Sequence, residues 1–180
     1  MPIKRIPGVY VEEITPRSTT IEGVALSDAL FVGECSAGAV NQPTLIANRE
    51  EFAENFGPPA KEERYHQSEL MSCAVRGFFD NGGNRAWIIR VAADGDNTHD
   101  HRLWSPADLD GVGAVCLPGR TWTGRDRTSI QEWLDVVESS RQAMLIIDPP
   151  PGSELKSAAD VQALDLPASK SAVTYYPWVR

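Results

Sequence analysis

The clearest pattern in the chain is a stripe of apolar positions at helical spacing between two polar boundaries. Ser68 offers a side-chain oxygen suited to an N-cap, and Gly82 with Gly83 stops a helix. The apolar positions between them fall on one helical face, and burying two phenylalanines alone contributes about 3–6 kcal/mol. We therefore expect this face to pack on a sheet. The stripe consists of Leu70, Met71, Ala74, Val75, Phe78 and Phe79.

Strand patterns alternate with helical patterns over the rest of the chain. Short apolar runs predict strands at 29–33, 86–91, 113–117, 143–148 and 171–179, with Pro118 and Gly119 ending the third. Amphipathic spacing predicts helices at 49–56, capped by Asn48, at 129–141 and, more weakly, near 158–164. The polar segment 93–110 predicts an exposed loop. The order of elements is typical of an α/β fold, with a mixed sheet flanked by helices.

The first 20 residues predict an extended arm. They are rich in proline, threonine and charge, and prolines at positions 2 and 7 exclude a central strand because proline lacks the ladder donor. An edge strand that adds to a partner's sheet fits this composition. Residues 21–180 then form the core domain. The predicted strand-forming residues are Val9, Tyr10, Val11, Glu12, Glu13 and Ile14.

Charge and composition exclude several classes of function. The formal net charge of −8 and pI near 4.9 argue against a nucleic-acid partner, which requires a basic surface. We find no apolar run of membrane-spanning length, so we expect no membrane insertion and a cytoplasmic protein. The three widely spaced cysteines are interpreted as buried, reduced thiols.

Three motifs suggest chemistry, and each is incomplete. Asp148 ends an apolar strand as in P-loop enzymes, but no phosphate-binding loop is present, so we interpret it as ordering the following proline turn. Glu34 and Cys35 break a possible nucleophile elbow at 33–38. The histidines and carboxylates at 96–101 are interpreted as a solvated loop rather than a metal site. We therefore predict no catalytic residue, cofactor or metal.

Short motifs along nearly the whole chain resemble, in order and spacing, the tail sheath proteins of contractile phage tails, R-type bacteriocins and contractile injection systems. The arm motif Pro7-Gly8-Val9-Tyr10-Val11-Glu12-Glu13 opens this series, and further motifs follow at Leu117-Pro118-Gly119 and Asp148-Pro149-Pro150. The core positions that carry the resemblance are Phe31, Gly33, Phe78, Phe79, Gly82, Gly83, Asp148, Tyr175, Tyr176 and Trp178.

The resemblance implies a structural role. Copies of the chain would form a helical sheath around an inner tail tube, between baseplate and terminator proteins, and contraction would drive the tube through a target envelope. Assembly would take place in the cytoplasm of the bacterial host, on a virion tail or a phage-tail-like particle. By this resemblance the arm links neighbouring subunits while the α/β cores rotate.

One departure from the family keeps alternatives open. Sheath proteins ordinarily continue past the Tyr175–Trp178 strand into a region that completes the core, whereas this sequence ends at Arg180. The chain would then be a short relative, a fragment or one half of a split sheath. A sheath cap or initiator is a further alternative. A small α/β hydrolase is the enzymatic one, and it would require a pocket that collects Asp148, Cys35 or His99.

Overall fold

The computed structural model describes residues 28–58, 67–91, 104–124 and 126–177. The predicted arm, the segment 92–103 and Trp178 lie outside the described residues.

The predicted fold class is confirmed, since the core is a mixed six-stranded sheet flanked by helices. The strand order is β2-β3-β1-β4-β5-β6. Strand β2 pairs antiparallel with β3, and every other neighbouring pair is parallel. The strands are β1 (Asp28–Glu34), β2 (Pro43–Ile46), β3 (Ala86–Val91), β4 (Val112–Thr121), β5 (Met144–Asp148) and β6 (Ala172–Val173). The helices are α1 (Arg49–Phe56), α2 (Gln67–Asp80), α3 (Asp126–Ser140) and α4 (Ala158–Ala163), with a 3-10 turn at Pro106–Asp108.

Helices α1 and α2 cover one face of the sheet. Asn48 caps α1 as predicted, because its side chain accepts a hydrogen bond from the Glu51 amide at 2.8 Å, and Gly57 ends the helix with φ 106°. Helix α2 begins at Gln67, one residue before the predicted cap. It packs on β1 and β4 and buries Met71 and Val75 almost completely, which confirms that the apolar stripe faces the sheet.

Helix α3 covers the opposite face. It starts at Asp126, three residues earlier than predicted, and packs on β4 and β5. Its apolar residues enter a core cluster together with residues of these strands that face α3. The members of that cluster from α3, β4 and β5 are Ile130, Trp133, Leu134, Val137, Val112, Val115, Leu117, Leu145 and Ile147.

The prediction that β4 ends at Pro118 and Gly119 is wrong. The strand continues to Thr121, which pairs with Asp148 after an irregularity that begins at Cys116. Gly119 adopts φ 86°, a left-handed conformation open to glycine, so the chain passes the proline and returns to the sheet.

Three further predictions need correction. The predicted loop after β1 contains β2, an edge strand whose first residue is Pro43, a position where proline costs no ladder bond. The predicted strand 171–179 is limited to β6, and the chain beyond it is not paired up to Pro177. The predicted exposed loop 93–110 includes buried Pro106 and Leu109.

The cysteines also differ in part from the prediction. All three are free thiols, but only Cys35 is buried, whereas Cys73 and Cys116 are half-buried.

Candidate assembly surface

Among the described helices, only α3 packs on strand β5, and it covers one face of the strand. Leu145 and Ile147 are 0% and 2% exposed beneath α3, whereas Met144 on the other face is 44% exposed and Ile146 is half-buried. Parallel sheets are ordinarily covered on both faces because crossover helices lie on both. We call the α2-side surface of β5 and β6 the open face; α2 borders it where the helix packs on β4.

A groove of about 820 Å³ runs along the open face beside α2. Leu70, Ala74 and Phe78 of α2 form one wall. Phe31 lies at its base, and β4 and β5 contribute the rest of the lining. The β4 and β5 residues, with one from the turn after β5, are Cys116, Leu117, Pro118, Gly119, Thr121, Ile146, Asp148 and Pro151.

Aromatic packing fixes the α2 wall of the groove. The Phe78 ring meets the Phe31 ring edge-on, with centroids 5.6 Å apart, and it meets Phe79 in the same way at 5.3 Å. A Cβ atom on Gly83 would lie 2.3 Å from the Phe78 ring. The turn after α2 therefore needs glycine at position 83 so that the chain can pass under this ring, while Gly82 adopts φ 91°.

The groove is an unfavourable place for charge. Burial raises the pKa of the Asp148 carboxyl above its ordinary value. Burial, with a smaller contribution from Asp148, raises the pKa of the Cys116 thiol to about 12. Because the thiolate is the reactive form of cysteine, Cys116 is protonated and unreactive at neutral pH.

Of the three residues named for the hydrolase alternative, Asp148 is the only described one that lines this groove. Cys35 is not among its lining residues, and burial raises the pKa of that thiol to about 12, although Arg90 opposes the shift. Arg90 instead donates hydrogen bonds to the carbonyl oxygens of Cys35 and Gly38, which holds the chain after β1. His99 lies outside the described residues.

Two kinds of feature are absent from the described residues. Within them, no group of three histidine, cysteine, aspartate or glutamate side chains is placed to hold a metal ion. In the same part of the chain, no helix combines the length and apolar character needed to cross a bilayer.

The groove brings together only some of the residues predicted from the sequence. Phe31, Phe78 and Asp148 line it. Gly33 lies at the end of β1, where an added Cβ would sit 3.2 Å from Met71 and 3.3 Å from the Pro118 carbonyl oxygen.

The remaining predicted residues lie elsewhere. Phe79 is half-buried behind Phe78. Tyr175 and Tyr176 are 66% and 43% exposed beyond β6. The arm residues and Trp178 fall outside the described part of the chain.

Sequence reasoning did not single out Cys116, Ile146 or Met144. The sequence shows that these residues lie in apolar strand segments. Apolar residues in a strand do not show whether a helix covers the face of the sheet on which they lie.

No family model and no curated protein matches the sequence. Solved structures do match. The fold is similar to that of a chain in the contracted helical sheath of the anti-feeding prophage, with a TM-score of 0.60 and 19% sequence identity. The match covers 97% of this chain and 46% of that one. The chain shares the fold of a sheath structure. The predicted resemblance to contractile sheath proteins is thus confirmed as a likeness of fold.

Two baseplate structures of the same anti-feeding prophage also match. The six-fold symmetrised baseplate gives a TM-score of 0.58 at 19% identity, over 97% of this chain and 47% of that one. The contracted baseplate gives 0.54 at 15% identity, over 95% and 47%. The chain therefore spans about half the length of the solved chains that it matches.

Proposed function

We propose that this chain is a structural subunit of a contractile tail sheath. The observation that carries the proposal is the match of 97% of the chain to a chain of the contracted helical sheath. In this role, copies of the chain polymerise helically around an inner tail tube, between baseplate and terminator proteins. The particle assembles in the bacterial cytoplasm as part of a virion tail or a phage-tail-like injection system. The role is mechanical, with no catalytic step.

The sequence and fold suggest how such a subunit works. A two-sided α/β core gives a rigid body, and a strand-forming arm that adds to a neighbour's sheet keeps subunits linked while those bodies rotate. Energy stored at assembly is then released when the lattice contracts and drives the tube forward.

Negative-stain electron microscopy of the purified chain, alone and mixed with the proteins encoded beside it, tests the proposal. Striated tubes are the expected product, either alone or with a partner. Monodisperse particles in every mixture would contradict a sheath role for this chain.

The arm provides a sharper test. We expect that deletion of residues 1–20 leaves the core folded, because the described core begins at β1, and abolishes tube formation. Circular dichroism checks the fold and microscopy checks the tubes. Tubes of normal appearance from the deleted chain would show that the arm does not link subunits.

A second candidate is a sheath cap or initiator, or one half of a split sheath. The two baseplate matches favour the first possibility. A discrete ring in place of a tube supports the cap. A tube that forms only when a second sheath-like protein is added supports the split sheath.

A further inference from the structure

We propose that Asn81 is a site of spontaneous deamidation, and that the turn which ends α2 controls the rate of this modification. Water is the co-reactant, and no enzyme is required. The inference is independent of the proposed sheath role, because it concerns the chemistry of the turn itself. It rests on the sequence at this turn, on its exposure to solvent and on its hydrogen bonds.

The residue that follows Asn81 makes it the most reactive asparagine of the chain. In deamidation, the backbone nitrogen of the following residue attacks the side-chain amide carbon, so a bulky following residue hinders the attack. Asn81 is the one asparagine in the sequence that glycine follows. Glycine has no Cβ and leaves the backbone free to rotate into the attacking geometry. Both residues are exposed, and a Cβ atom at Gly82 would meet no described atom beyond its chain neighbours within 4 Å. Solvent therefore reaches the reacting groups.

The reaction consists of two balanced steps. In the first, the Gly82 nitrogen loses its proton to hydroxide and bonds to the side-chain amide carbon of Asn81. The bond from that carbon to the amide nitrogen breaks, ammonia leaves with a proton from water, and a succinimide ring remains. In the second step, water adds to one of the two ring carbonyls. Opening at the side-chain carbonyl gives aspartate with a normal backbone, and opening at the backbone carbonyl gives isoaspartate, in which the main chain runs through the side chain.

The fold holds the attacking nitrogen in a hydrogen bond. The Gly82 amide donates to the Phe79 carbonyl oxygen at 3.1 Å, and the Gly83 amide donates to the Phe78 carbonyl oxygen at 3.0 Å. These two bonds, with Gly82 at φ 91°, form the Schellman motif that ends α2. The motif needs glycine at position 82, and the same glycine makes the preceding asparagine reactive. Structure and reactivity at this turn therefore have one cause.

The carbon that is attacked is held as well. The Asn81 side-chain amide donates to the Gly77 carbonyl oxygen at 2.8 Å, one turn back along α2. Attack requires this side chain to leave its partner and the Gly82 amide to leave the Schellman motif. Deamidation of the folded chain therefore proceeds through local opening of the turn, and its rate measures how often the turn opens.

Two other asparagines serve as internal controls. Asn55 on α1 makes the same kind of bond, from its side-chain amide to the Glu51 carbonyl oxygen at 2.8 Å, but buried Phe56 follows it. Asn84 is exposed in the same turn region, but Arg85 follows it. The first control matches the hydrogen bond and the second matches the exposure, so a faster reaction at Asn81 isolates the effect of the following glycine.

Deamidation should loosen the end of α2. It replaces the donor to the Gly77 carbonyl oxygen with a carboxylate, and it adds a negative charge beside Asp80 at the negative end of the helix dipole. Isoaspartate also lengthens the main chain just before Gly83, where the backbone passes so close to the Phe78 ring that an added Cβ would lie 2.3 Å from it. Both products therefore disturb the packing of this turn.

Peptide mapping of the purified chain tests the site. The chain is incubated at pH 8, folded and in urea, and trypsin then releases residues 77–85, which contain both Asn81 and Asn84. Fragmentation in a mass spectrometer assigns the exchange of amide nitrogen for oxygen to one asparagine. We expect Asn81 to react first in both states, and about tenfold more slowly in the folded chain because two hydrogen bonds must open.

Three outcomes would overturn the proposal. Faster reaction at Asn84 or Asn55 rejects Asn81 as the reactive site. Equal rates at Asn81 in the folded and the unfolded chain reject control by the turn. A folded chain without product, under conditions in which the unfolded chain reacts completely, shows that the turn stays closed and rejects modification of the native protein.

A pair of glycine variants tests control by the turn directly. Gly83→Ala places a methyl group against the Phe78 ring and should raise the folded-state rate at Asn81 about threefold or more, relative to the same variant in urea. Gly77→Ala is the matched control, because its added carbon meets nothing within 4 Å, and it should not raise the rate. Circular dichroism checks that both variants are folded. The same rate in both folded variants would reject control by the turn.

Asn81→Asp reproduces one product and tests its effect. We expect a lower melting temperature than that of the parent, because the variant loses the donor to Gly77 and gains a charge at the helix C-terminus. Asn84→Asp adds the same charge outside α2 and should change the melting temperature less. Equal melting temperatures for the parent and Asn81→Asp would reject the effect on α2.

Discussion

Asp148 makes stability depend on pH with a defined sign. Burial raises its pKa in the folded chain, so the folded state binds the proton more tightly than the unfolded chain does. The stability gained from this proton is complete below the unfolded pKa and is lost as the pH rises through the folded pKa. We expect Asp148→Asn to be more stable than the parent at pH 7, and the difference to shrink towards pH 4. Thermal melts across this range measure it.

The control for Asp148 is an exposed carboxylate. Glu54→Gln on α1 removes the same charge without relieving burial, so it should change the melting temperature little at any pH. A gain from Asp148→Asn that stays constant down to pH 4 would show that ionisation is not its cause.

Replacement by alanine should have opposite effects on stability at two glycines, Gly83 and Gly77. Gly83→Ala places a methyl group 2.3 Å from the Phe78 ring and should destabilise the fold by about 1–3 kcal/mol. Gly77→Ala, inside α2 with nothing within 4 Å of the added carbon, should stabilise it by about 0.5–1 kcal/mol. Urea denaturation measures both. Equal effects at the two positions would contradict the packing of Phe78.

At the scale of elements, two side chains, Trp122 and Arg127, attach the end of α4 to the core. Trp122 donates from its indole nitrogen to the carbonyl oxygens of Leu164 and Asp165, at 3.1 and 3.0 Å. Arg127 lies 5.0 Å from the Trp122 ring and donates to the same Leu164 oxygen at 2.8 Å. Helix α4 itself buries no residue, so these bonds carry much of the attachment.

Trp122→Phe should therefore loosen this segment before it unfolds the core. The substitution removes a donor from two carbonyl groups, at a cost of about 1–2 kcal/mol, and keeps most of the apolar burial. We expect faster trypsin cleavage after the exposed Lys156 and Lys170, measured by mass spectrometry. Cleavage that accelerates equally at Arg76 on α2 would indicate global unfolding instead.

The elements that the sequence predicts well are those defined by local signals. Asn48 and Gly57 bound α1 because a cap and a left-handed glycine act within a few residues. The extension of β4 to Thr121 depends on pairing with β5, which local patterns do not contain. Strand β2 was missed because four residues with a leading proline resemble a loop.

The open face was unpredictable for a different reason. Met144 and Ile146 belong to an apolar strand that is typical of a fully buried position. Only the sheet order and the side on which α2 and α3 lie reveal that no described helix packs on one face of β5. Residue type therefore locates the strand, and the tertiary arrangement determines what the strand can bind.

At the scale of the whole molecule, charge should control assembly. A formal net charge of −8 makes neighbouring copies repel one another, and salt shortens the range of this repulsion from about 10 Å at 0.1 M to about 3 Å at 1 M. We expect tubes at lower protein concentration as sodium chloride rises from 0.05 to 0.5 M, measured by pelleting and microscopy. A variant with Glu54→Gln and Asp110→Asn, both exposed, should assemble at lower salt than the parent. Tubes that dissolve as salt rises would show instead that attractive ion pairs between subunits hold the lattice together.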